Sequence, residues 1–143
     1  NDQPEKGWTG YGVCPPTAMG GGRSHLVIPG ATGGRRDHSI GNIHLLYACL
    51  QKGVKASIVD EKNRLYILDQ GKTYRSSETW GKYISFLPLT EKVTGITLTG
   101  FKYPLFEKDI EIGTSLCISN ELAEEEGRLT LRDGVLIVVE SHD

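Results

Sequence analysis

The sequence has few cysteines and no long apolar run. Its three cysteines, Cys14, Cys49 and Cys117, lie far apart and form no C-x-x-C pair, so we expect neither a disulfide framework nor a structural zinc site. No run approaches the roughly 18 apolar residues of a membrane span, and the sequence has no charged-then-apolar leader. We therefore expect a reduced protein of the cytoplasm with no membrane partner.

The sequence also lacks an excess of charge of either sign. The 143 residues include 16 Lys+Arg and 18 Asp+Glu, a formal net charge of -2 at pH 7. A chain so balanced has no overall positive field to hold a nucleic acid, so we expect no nucleic-acid partner. Hydrophobic residues at 38% and charged residues at 24% are typical of a globular protein. The length suits one modest domain or the joined parts of two.

Regular periodicity is missing from the beginning of the sequence. Glycines and prolines cluster there, and residues 4–23 show neither a helical nor a strand repeat. A loop of this length is uncommon inside a compact domain. We predict an irregular or disordered segment over residues 1–23.

The pattern of residues 24–62 is that of an α/β unit. The apolar run 26–28 predicts a buried strand, which Pro29-Gly30 closes with a turn. Apolar residues then recur at helical spacing over residues 40–50, and Gly53 is a stop signal. This segment therefore reads as the last part of an α/β domain.

After Gly53 the sequence becomes rich in β-prone runs. The most distinct runs are residues 56–59, 65–68, 83–89, 93–99 and 135–139. No helical pattern separates these runs, which is typical of a sandwich or barrel. Asp133-Gly134 stands between two β-rich runs and predicts a hairpin, because a type I′ turn requires positive φ at both central residues. We place an all-β domain over residues 63–143.

The loop between the first strand and the helix is rich in glycine. Glycines let a backbone approach a phosphate, and the guanidinium of Arg35 suits phosphate oxygens. The loop has no P-loop lysine, and Arg36 stands where a dinucleotide-binding fingerprint needs glycine. A surface turn in which Asp37 only caps the helix explains the same residues. The spacing alone leaves a phosphate site and a plain turn as alternatives.

Several spaced motifs occur along the chain in one order. They are Gly30–His38, Phe86–Leu89, Gly95–Leu105, Gly113–Ser115, Ile118–Glu121 and Gly134–Val138. The series resembles that of the thiamine pyrophosphokinases, and the first motif looks like the family's G-x-x-G-G-R-x-D-H segment. The resemblance covers about residues 24–143, and several motifs in one order are more specific than any single motif.

The resemblance implies an enzyme that transfers the terminal pyrophosphate of ATP to the hydroxyethyl oxygen of thiamine. The products are thiamine diphosphate and AMP, and the cofactor is Mg²⁺. The implied fold class is α/β plus all-β. It joins the C-terminal part of an α/β nucleotide-binding domain, at residues 24–62, to a small antiparallel β-sandwich that binds thiamine, at residues 63–143. The family resemblance also implies a homodimer.

The same resemblance gives roles to residues at matching positions. Arg35 and Asp37 match catalytic positions, where the arginine stabilises charge on the transferred group and the aspartate orients the attacking hydroxyl. The expected nucleotide-binding and phosphate-binding residues are Gly33, Gly34 and Arg35. The expected thiamine-binding residues are Gln3, Asp37, Tyr103, Ser119 and Asn120.

Some of these positions also have plainer interpretations. Ser119-Asn120 is an ordinary strand-to-turn pair, and Tyr103 beside Pro104 can pack at a strand end. Two other classes of protein also stay open. One is a non-catalytic β-sandwich module that binds thiamine or its phosphates, and the other is a structural dimerisation domain.

The sequence departs from the family on its N-terminal side. The family's acidic magnesium ligands are expected upstream, and Gly7 stands about where one of them should be. The Mg²⁺ ligands are therefore unknown from this sequence, which reads as truncated or disrupted at the N-terminus. Because Mg²⁺ would lose most of its protein oxygens, we expect this chain alone to be impaired in transfer.

Overall fold

The computed structural model describes residues 25–30 and 36–143, with the backbone alone for residues 36–40. Within these residues the chain forms one helix and nine strands, so it is mostly β-structure. The elements are β1 (His25–Pro29), α1 (Arg36–Gln51), β2 (Lys55–Val59), β3 (Asn63–Leu68), β4 (Lys72–Arg75), β5 (Tyr83–Pro88), β6 (Lys92–Thr99), β7 (Leu105–Glu111), β8 (Glu126–Thr130) and β9 (Leu136–Ser141). In this part of the chain, no helix has the length and apolarity that crossing a membrane requires.

The chain divides into two compact units. One ends at Tyr66 and the other runs from Ile67 to Asp143, so the division falls inside β3. The sequence placed its boundary slightly earlier, between residues 62 and 63. The three domain ranges drawn from the sequence stay predictions, and the first of them, residues 1–23, lies outside the described residues.

In the first unit, the helix connects two parallel strands. β1 and β2 are paired with Leu26 opposite Ala56 and Ile28 opposite Ile58. A parallel pair requires a crossover connection such as α1. β2 then pairs antiparallel with β3. The strand and the helix predicted from the sequence are confirmed as successive elements of this unit, whereas the predicted loop between them lies outside the described residues.

Helix α1 buries an apolar face and ends where the sequence predicts. Leu45, Leu46 and Cys49 are at most 1% exposed, and their spacing places them on one side of a helix. Gly53 has a φ of 75°, and its N–H donates to the Leu50 carbonyl at 3.1 Å. Because glycine adopts this left-handed conformation at little cost, Gly53 terminates the helix.

The second unit contains antiparallel strands in two sheets, as the sequence predicts. β5 pairs with β9, and the other sheet has the order β4-β8-β6-β7. Tyr74 of β4, Phe86 of β5 and Phe101 after β6 meet edge to face, with ring centroids 5.8–6.0 Å apart. Such aromatic pairs contribute about 0.5–1.5 kcal/mol each beyond their buried area. This aromatic cluster therefore packs the two sheets of the unit against each other.

The predicted hairpin at Asp133-Gly134 is wrong. The flanking strands pair with different partners, β8 with β4 and β6, and β9 with β5. Asp133 instead forms a bridge with Thr94 of β6, whose carbonyl accepts the Arg132 N–H at 2.8 Å. Gly134 has a φ of 108°, and a Cβ there would lie 2.7 Å from the Lys92 carbonyl oxygen. A turn between two sheets thus needs the same glycine that a hairpin needs.

The cysteines differ from one another in their bonding. Cys117 is a free thiol and is 2% exposed. Cys49 is fully buried, as expected for a core position, but it is disulfide-bonded. The expectation of a fully reduced protein is therefore wrong for Cys49. Separation along the chain does not limit which cysteines meet in space, so spacing was a poor guide.

Candidate functional site

Most residues of the candidate phosphate site lie outside the described part of the chain. The candidates outside it are Gln3, Gly33, Gly34 and Arg35. Asp37 is the second residue of α1, and only its backbone is described. The two elements that flank the glycine-rich loop are described, since β1 ends at Pro29 and α1 begins at Arg36. Free N–H groups at such a helix N-terminus favour anions, and the roles of these residues stay predictions.

A short antiparallel ladder brings Tyr103 and Asn120 together, although 17 positions separate them. The ladder joins residues 100–103, which follow β6, to residues 120–123. Two backbone hydrogen bonds of 2.8 Å and a bridge form its regular part. Three of the predicted thiamine residues are therefore described in one region, since Ser119 directly precedes the ladder.

The side chain of Asn120 forms the last rung of this ladder. Its Oδ1 accepts the N–H of Tyr103 at 3.0 Å and the N–H of Glu121 at 2.9 Å. Its Nδ2 donates to the Tyr103 carbonyl at 2.9 Å. The backbone of Asn120 is engaged elsewhere, because its N–H and C=O form two hydrogen bonds with Ile84 of β5. Asn120 is 2% exposed, so water has little access to it. Its side-chain amide therefore takes the place of a backbone peptide group as the hydrogen-bond partner of Tyr103.

Tyr103, in contrast to the buried Asn120, is exposed: 54% of the residue is accessible to solvent. The Nζ of Lys102 lies 5.6 Å from the ring centroid and 3.8 Å from Oε2 of Glu121. An aromatic face is attractive to cations within about 6 Å of its centroid. The arrangement therefore offers an exposed aromatic face on a backbone that Asn120 holds at both its N–H and its C=O.

Ser119 has a strained backbone and an available hydroxyl. Its φ is 58°, in the left-handed region that non-glycine residues seldom adopt. Its N–H donates to Oγ of Ser85 on β5 at 2.8 Å. The residue is exposed, and among the described residues its hydroxyl has no hydrogen-bond partner. Strained residues of this kind cluster at ligand sites, and the Ser119 hydroxyl is free to bind one.

The thiol of Cys117 lies near this site in sequence but contributes no chemistry. Burial raises the pKa of the Cys117 thiol to about 11, because a thiolate is poorly solvated there. A thiol that stays protonated near neutral pH is a weak nucleophile. The backbone of Cys117 is structural, since its carbonyl accepts the Phe86 N–H of β5 at 3.0 Å.

A protein-built metal site is missing from the residues that the structure describes. Within residues 25–30 and 41–143, whose side chains are described, no three side chains of His, Cys, Asp or Glu are grouped so that they could hold a metal ion. Mg²⁺ is often bound by one or two carboxylates together with substrate phosphates. The described residues therefore do not identify a Mg²⁺ site, and the ligands of that ion stay unknown.

Sequence reasoning missed three residues of this region: Ser85, Lys102 and Glu121. Lys102 and Glu121 each adjoin a predicted thiamine residue, and their opposite charges were a usable signal. Ser85 is a polar residue between two buried ones on β5. Such alternation is ordinary in a half-buried strand, so nothing in the sequence marks the Ser85 hydroxyl as the acceptor of the Ser119 N–H.

The comparisons with known sequences agree on one family. Residues 72–136 match the family described as Thiamin pyrophosphokinase, vitamin B1 binding domain. The chain is 41% identical over 118 residues to the thiamine pyrophosphokinase of Bacillus subtilis strain 168, covering 82% of this chain and 55% of that protein. It is 26% identical over 111 residues to thiamine pyrophosphokinase 1 of Oryza sativa subsp. japonica, covering 74% of this chain and 40% of that protein.

Solved structures show the same relationship. The thiamine pyrophosphokinase of Bacillus subtilis has a TM-score of 0.78 at 40% identity, covering 83% of this chain and 56% of that one. The enzyme of Geobacillus thermodenitrificans has a TM-score of 0.75 at 38% identity, covering 83% and 54%. Yeast thiamin pyrophosphokinase, at 18% identity, shows the fold alone with a TM-score of 0.69, covering 81% and 39%.

The chain spans about half the length of the Bacillus subtilis relative. The matched domain of residues 72–136 contains Tyr103, Ser119 and Asn120. This chain is similar to thiamine pyrophosphokinases over about four fifths of its length, and its residues 72–136 match the family model of a vitamin B1 binding domain.

Proposed function

We propose that this chain takes part in the transfer of pyrophosphate from ATP to thiamine, which gives thiamine diphosphate and AMP. As an enzyme it is then a thiamine diphosphokinase. The observation that carries the proposal is the match of residues 72–136 to a vitamin B1 binding domain, which contains the Tyr103–Asn120 ladder. The 41% identity to a thiamine pyrophosphokinase supports the reaction class.

On the thiamine side, the exposed ring of Tyr103 suits a flat cation. The thiazolium ring of thiamine carries a positive charge, and a cation–π contact contributes about 0.5–2 kcal/mol, depending on its exposure. The free hydroxyl of Ser119 is able to donate to or accept from the polar groups of the vitamin. Gln3 is proposed as a further thiamine contact from the family resemblance.

On the ATP side, the proposal rests on the segment of residues 24–62 as the remainder of an α/β nucleotide-binding domain. Its described strand is followed by a helix N-terminus, which favours phosphate binding. Gly33, Gly34 and Arg35 are proposed to contact the phosphates, with the arginine stabilising charge that develops on the transferred group. Asp37 is proposed to orient the attacking hydroxyl of thiamine and to bind the vitamin.

Mg²⁺ is proposed as the cofactor that accompanies ATP. When bound, it would neutralise charge on the phosphate oxygens. The described side chains bring no three potential ligands together, so no chemical step is assigned to the ion. The ligands that the protein supplies to Mg²⁺ are not identified.

A homodimer is proposed from the exposed surface of the second unit. Four large apolar side chains are exposed: Phe106 (82%), Ile112 (63%), Leu116 (49%) and Ile118 (40%). A contiguous exposed apolar patch marks a protein–protein contact, and these four side chains are the candidates for such a patch. A cytoplasmic location is also proposed. The free thiol of Cys117 favours that location, whereas the disulfide at Cys49 does not.

A second candidate function is a non-catalytic module that binds thiamine or its phosphates. It is favoured by one observation, that the candidate side chains with described contacts lie in the vitamin B1 binding domain. Such a module would bind thiamine saturably and release no AMP. Its thiamine binding would also persist in the Asp37→Asn variant.

The test is to incubate the chain with thiamine and Mg·ATP and to quantify thiamine diphosphate and AMP by chromatography. Equal amounts of the two products support transfer. Because this chain alone is expected to be impaired in transfer, thiamine binding by calorimetry without AMP supports the binding module only if a longer protein that adds the upstream acidic residues also releases no AMP. Neither binding nor product from either protein overturns both proposals.

A matched pair of variants locates the phosphate site. Arg35→Ala is expected to lower the transfer rate by about 10²-fold or more, because the loss of a positioned charge acts mainly in the transition state. Lys108→Ala also removes a positive charge, from an exposed position on β7, and it should leave the rate unchanged. Equal effects of the two variants would contradict a specific role for Arg35.

A further inference from the structure

We propose that Asn120 is a positioning residue, which fixes the place of the Tyr103 ring and does not itself bind thiamine. The inference rests on the proposed function, because thiamine is the ligand it concerns. It separates two residues that the family resemblance treats alike as thiamine contacts. Tyr103 would touch the vitamin, and Asn120 would act through Tyr103.

The hydrogen-bonding capacity of the Asn120 amide is nearly used up inside the protein. An amide oxygen accepts two hydrogen bonds, and both positions of Oδ1 are taken, by the N–H groups of Tyr103 and Glu121. One of the two Nδ2 hydrogens is donated in a hydrogen bond to the Tyr103 carbonyl. A direct contact with thiamine through Oδ1 would therefore break a bond at a residue that is 2% exposed.

The ladder explains why a side chain is needed at this point. The backbone of Asn120 already pairs with Ile84 of β5, so it is unavailable to Tyr103. Pro104 follows Tyr103 and has no N–H of its own to extend the ladder. Among the described residues, Asn120 is therefore the group that holds both the N–H and the C=O of Tyr103.

The consequence for binding concerns the ring of Tyr103. A cation–π contact depends on where the ring face lies relative to the cation. Tyr103 as a residue is 54% exposed, and Nζ of Lys102 lies 5.6 Å from the centroid of its ring. The Lys102 side chain is itself 55% exposed, so this neighbour does little to fix the ring. The backbone of Tyr103, fixed by Asn120, sets the position from which the ring projects.

The test is a double-mutant cycle on thiamine binding, measured by calorimetry with the full chain. The variants are Tyr103→Ala, Asn120→Ala and the two combined. We expect each single variant to bind thiamine about tenfold more weakly, within the range of a cation–π contact. If Asn120 acts through Tyr103, the double variant binds no more weakly than Tyr103→Ala alone.

Amide hydrogen exchange gives a readout that does not depend on the vitamin. In Asn120→Ala, the Tyr103 N–H loses its acceptor and should exchange faster. The Lys102 N–H keeps its bond to the Glu121 carbonyl, which is 2.8 Å long, and should stay protected. Faster exchange at both amides would show that the whole ladder has opened, and it would overturn the local role proposed for Asn120.

A matched control removes another side chain that bonds to the backbone. Thr90 accepts the Val135 N–H at 3.1 Å and donates to the Lys92 carbonyl at 3.0 Å, and among the described contacts it touches no part of the ladder. Thr90→Val should therefore lower stability without changing the affinity for thiamine. A loss of affinity in Thr90→Val matching that of Asn120→Ala would mean that general destabilisation, not positioning, accounts for the effect.

Failure of this inference and failure of the proposed function give different results in the binding experiment. Additive losses in the double variant mean that Asn120 contacts thiamine directly, and they overturn this inference while leaving the proposed function intact. A wild-type chain that binds no thiamine overturns the proposed function and this inference with it. Non-additive losses with selective exchange at Tyr103 support both.

Discussion

Side chains replace backbone partners at two places in the second unit, and these places differ in their access to water. At the ladder, Asn120 is 2% exposed and forms three hydrogen bonds to backbone groups. Where β6 and β7 pair irregularly, Asp109 accepts the Gly95 N–H at 3.0 Å, and Thr97 accepts the Glu107 N–H at 3.0 Å. Asp109 is exposed and Thr97 is half-buried.

The difference in exposure decides how much each of these side chains contributes to stability when it replaces a backbone hydrogen-bond partner. A buried group that loses its hydrogen-bond partner keeps the full cost of its desolvation, whereas water replaces a lost partner at the surface. The three bonds of Asn120 should therefore matter more than the bonds of the irregular β6–β7 pairing. Three substitutions test this comparison, and a change of pH tests a buried group outside both places. Their expected effects decrease in the order in which they follow.

Asn120→Ala should have the largest effect on stability. It leaves the N–H and C=O of Tyr103 and the N–H of Glu121 without their side-chain partner, in a part-buried place. We expect the free energy of unfolding to fall by about 3 kcal/mol. Urea unfolding followed by circular dichroism measures this change. A loss below about 0.5 kcal/mol would show that water reaches the ladder and would remove the basis of the comparison.

Gly95→Ala should cost less, about 2 kcal/mol. Gly95 has a φ of 66°, which a residue with a Cβ adopts at a cost of about 1–2 kcal/mol. The new Cβ would also lie 2.8 Å from Cβ of Arg132. The double variant Gly95→Ala with Arg132→Gly, referred to Arg132→Gly alone, separates the two causes, because Arg132→Gly removes the Arg132 Cβ with the rest of that side chain but leaves the backbone strain at residue 95. A loss that disappears entirely in the double variant would contradict the strain.

Local signals predicted the first unit better than the second. Gly53 marks the end of α1 because a positive φ is a property of one residue, and the strand before the loop was read from its own apolar run. The hairpin prediction at Asp133-Gly134 was wrong because the glycine of this turn suits a hairpin and a change of sheet equally well. Which strands β8 and β9 pair with depends on residues far along the chain.

The candidate site shows the same limit. Tyr103 and Asn120 were identified through a family resemblance, and their contact could not be read from the sequence. That contact joins a side chain to the backbone of a residue 17 positions away, and a backbone group leaves no trace in the residue types. Ser119 likewise gives no sign of its positive φ, because serine is common in many conformations.

High pH should weaken the second unit moderately through Cys117. Burial raises the pKa of this thiol from 9.0 to about 11, so between these values the folded state holds a proton that the unfolded state has lost. The unfolded state therefore binds fewer protons, and stability falls as pH rises from about 9 to 11. Urea unfolding at pH 8 and pH 10.5 measures the change, with Cys117→Ser as the control. An equal pH dependence in wild type and variant would assign the loss to other groups.

Arg132→Ala should have the smallest effect, although its side chain forms an ion pair with Glu107. The two side chains are 64% and 49% exposed, so water and salt screen their attraction, and such pairs contribute about 0.2–1 kcal/mol. We expect a loss of at most about 0.5 kcal/mol at low salt, and less at 1 M NaCl, where the screening length is about 3 Å. Unfolding curves at the two salt concentrations measure it. A loss as large as that of Asn120→Ala, unchanged by salt, would mean that exposure does not separate the two places.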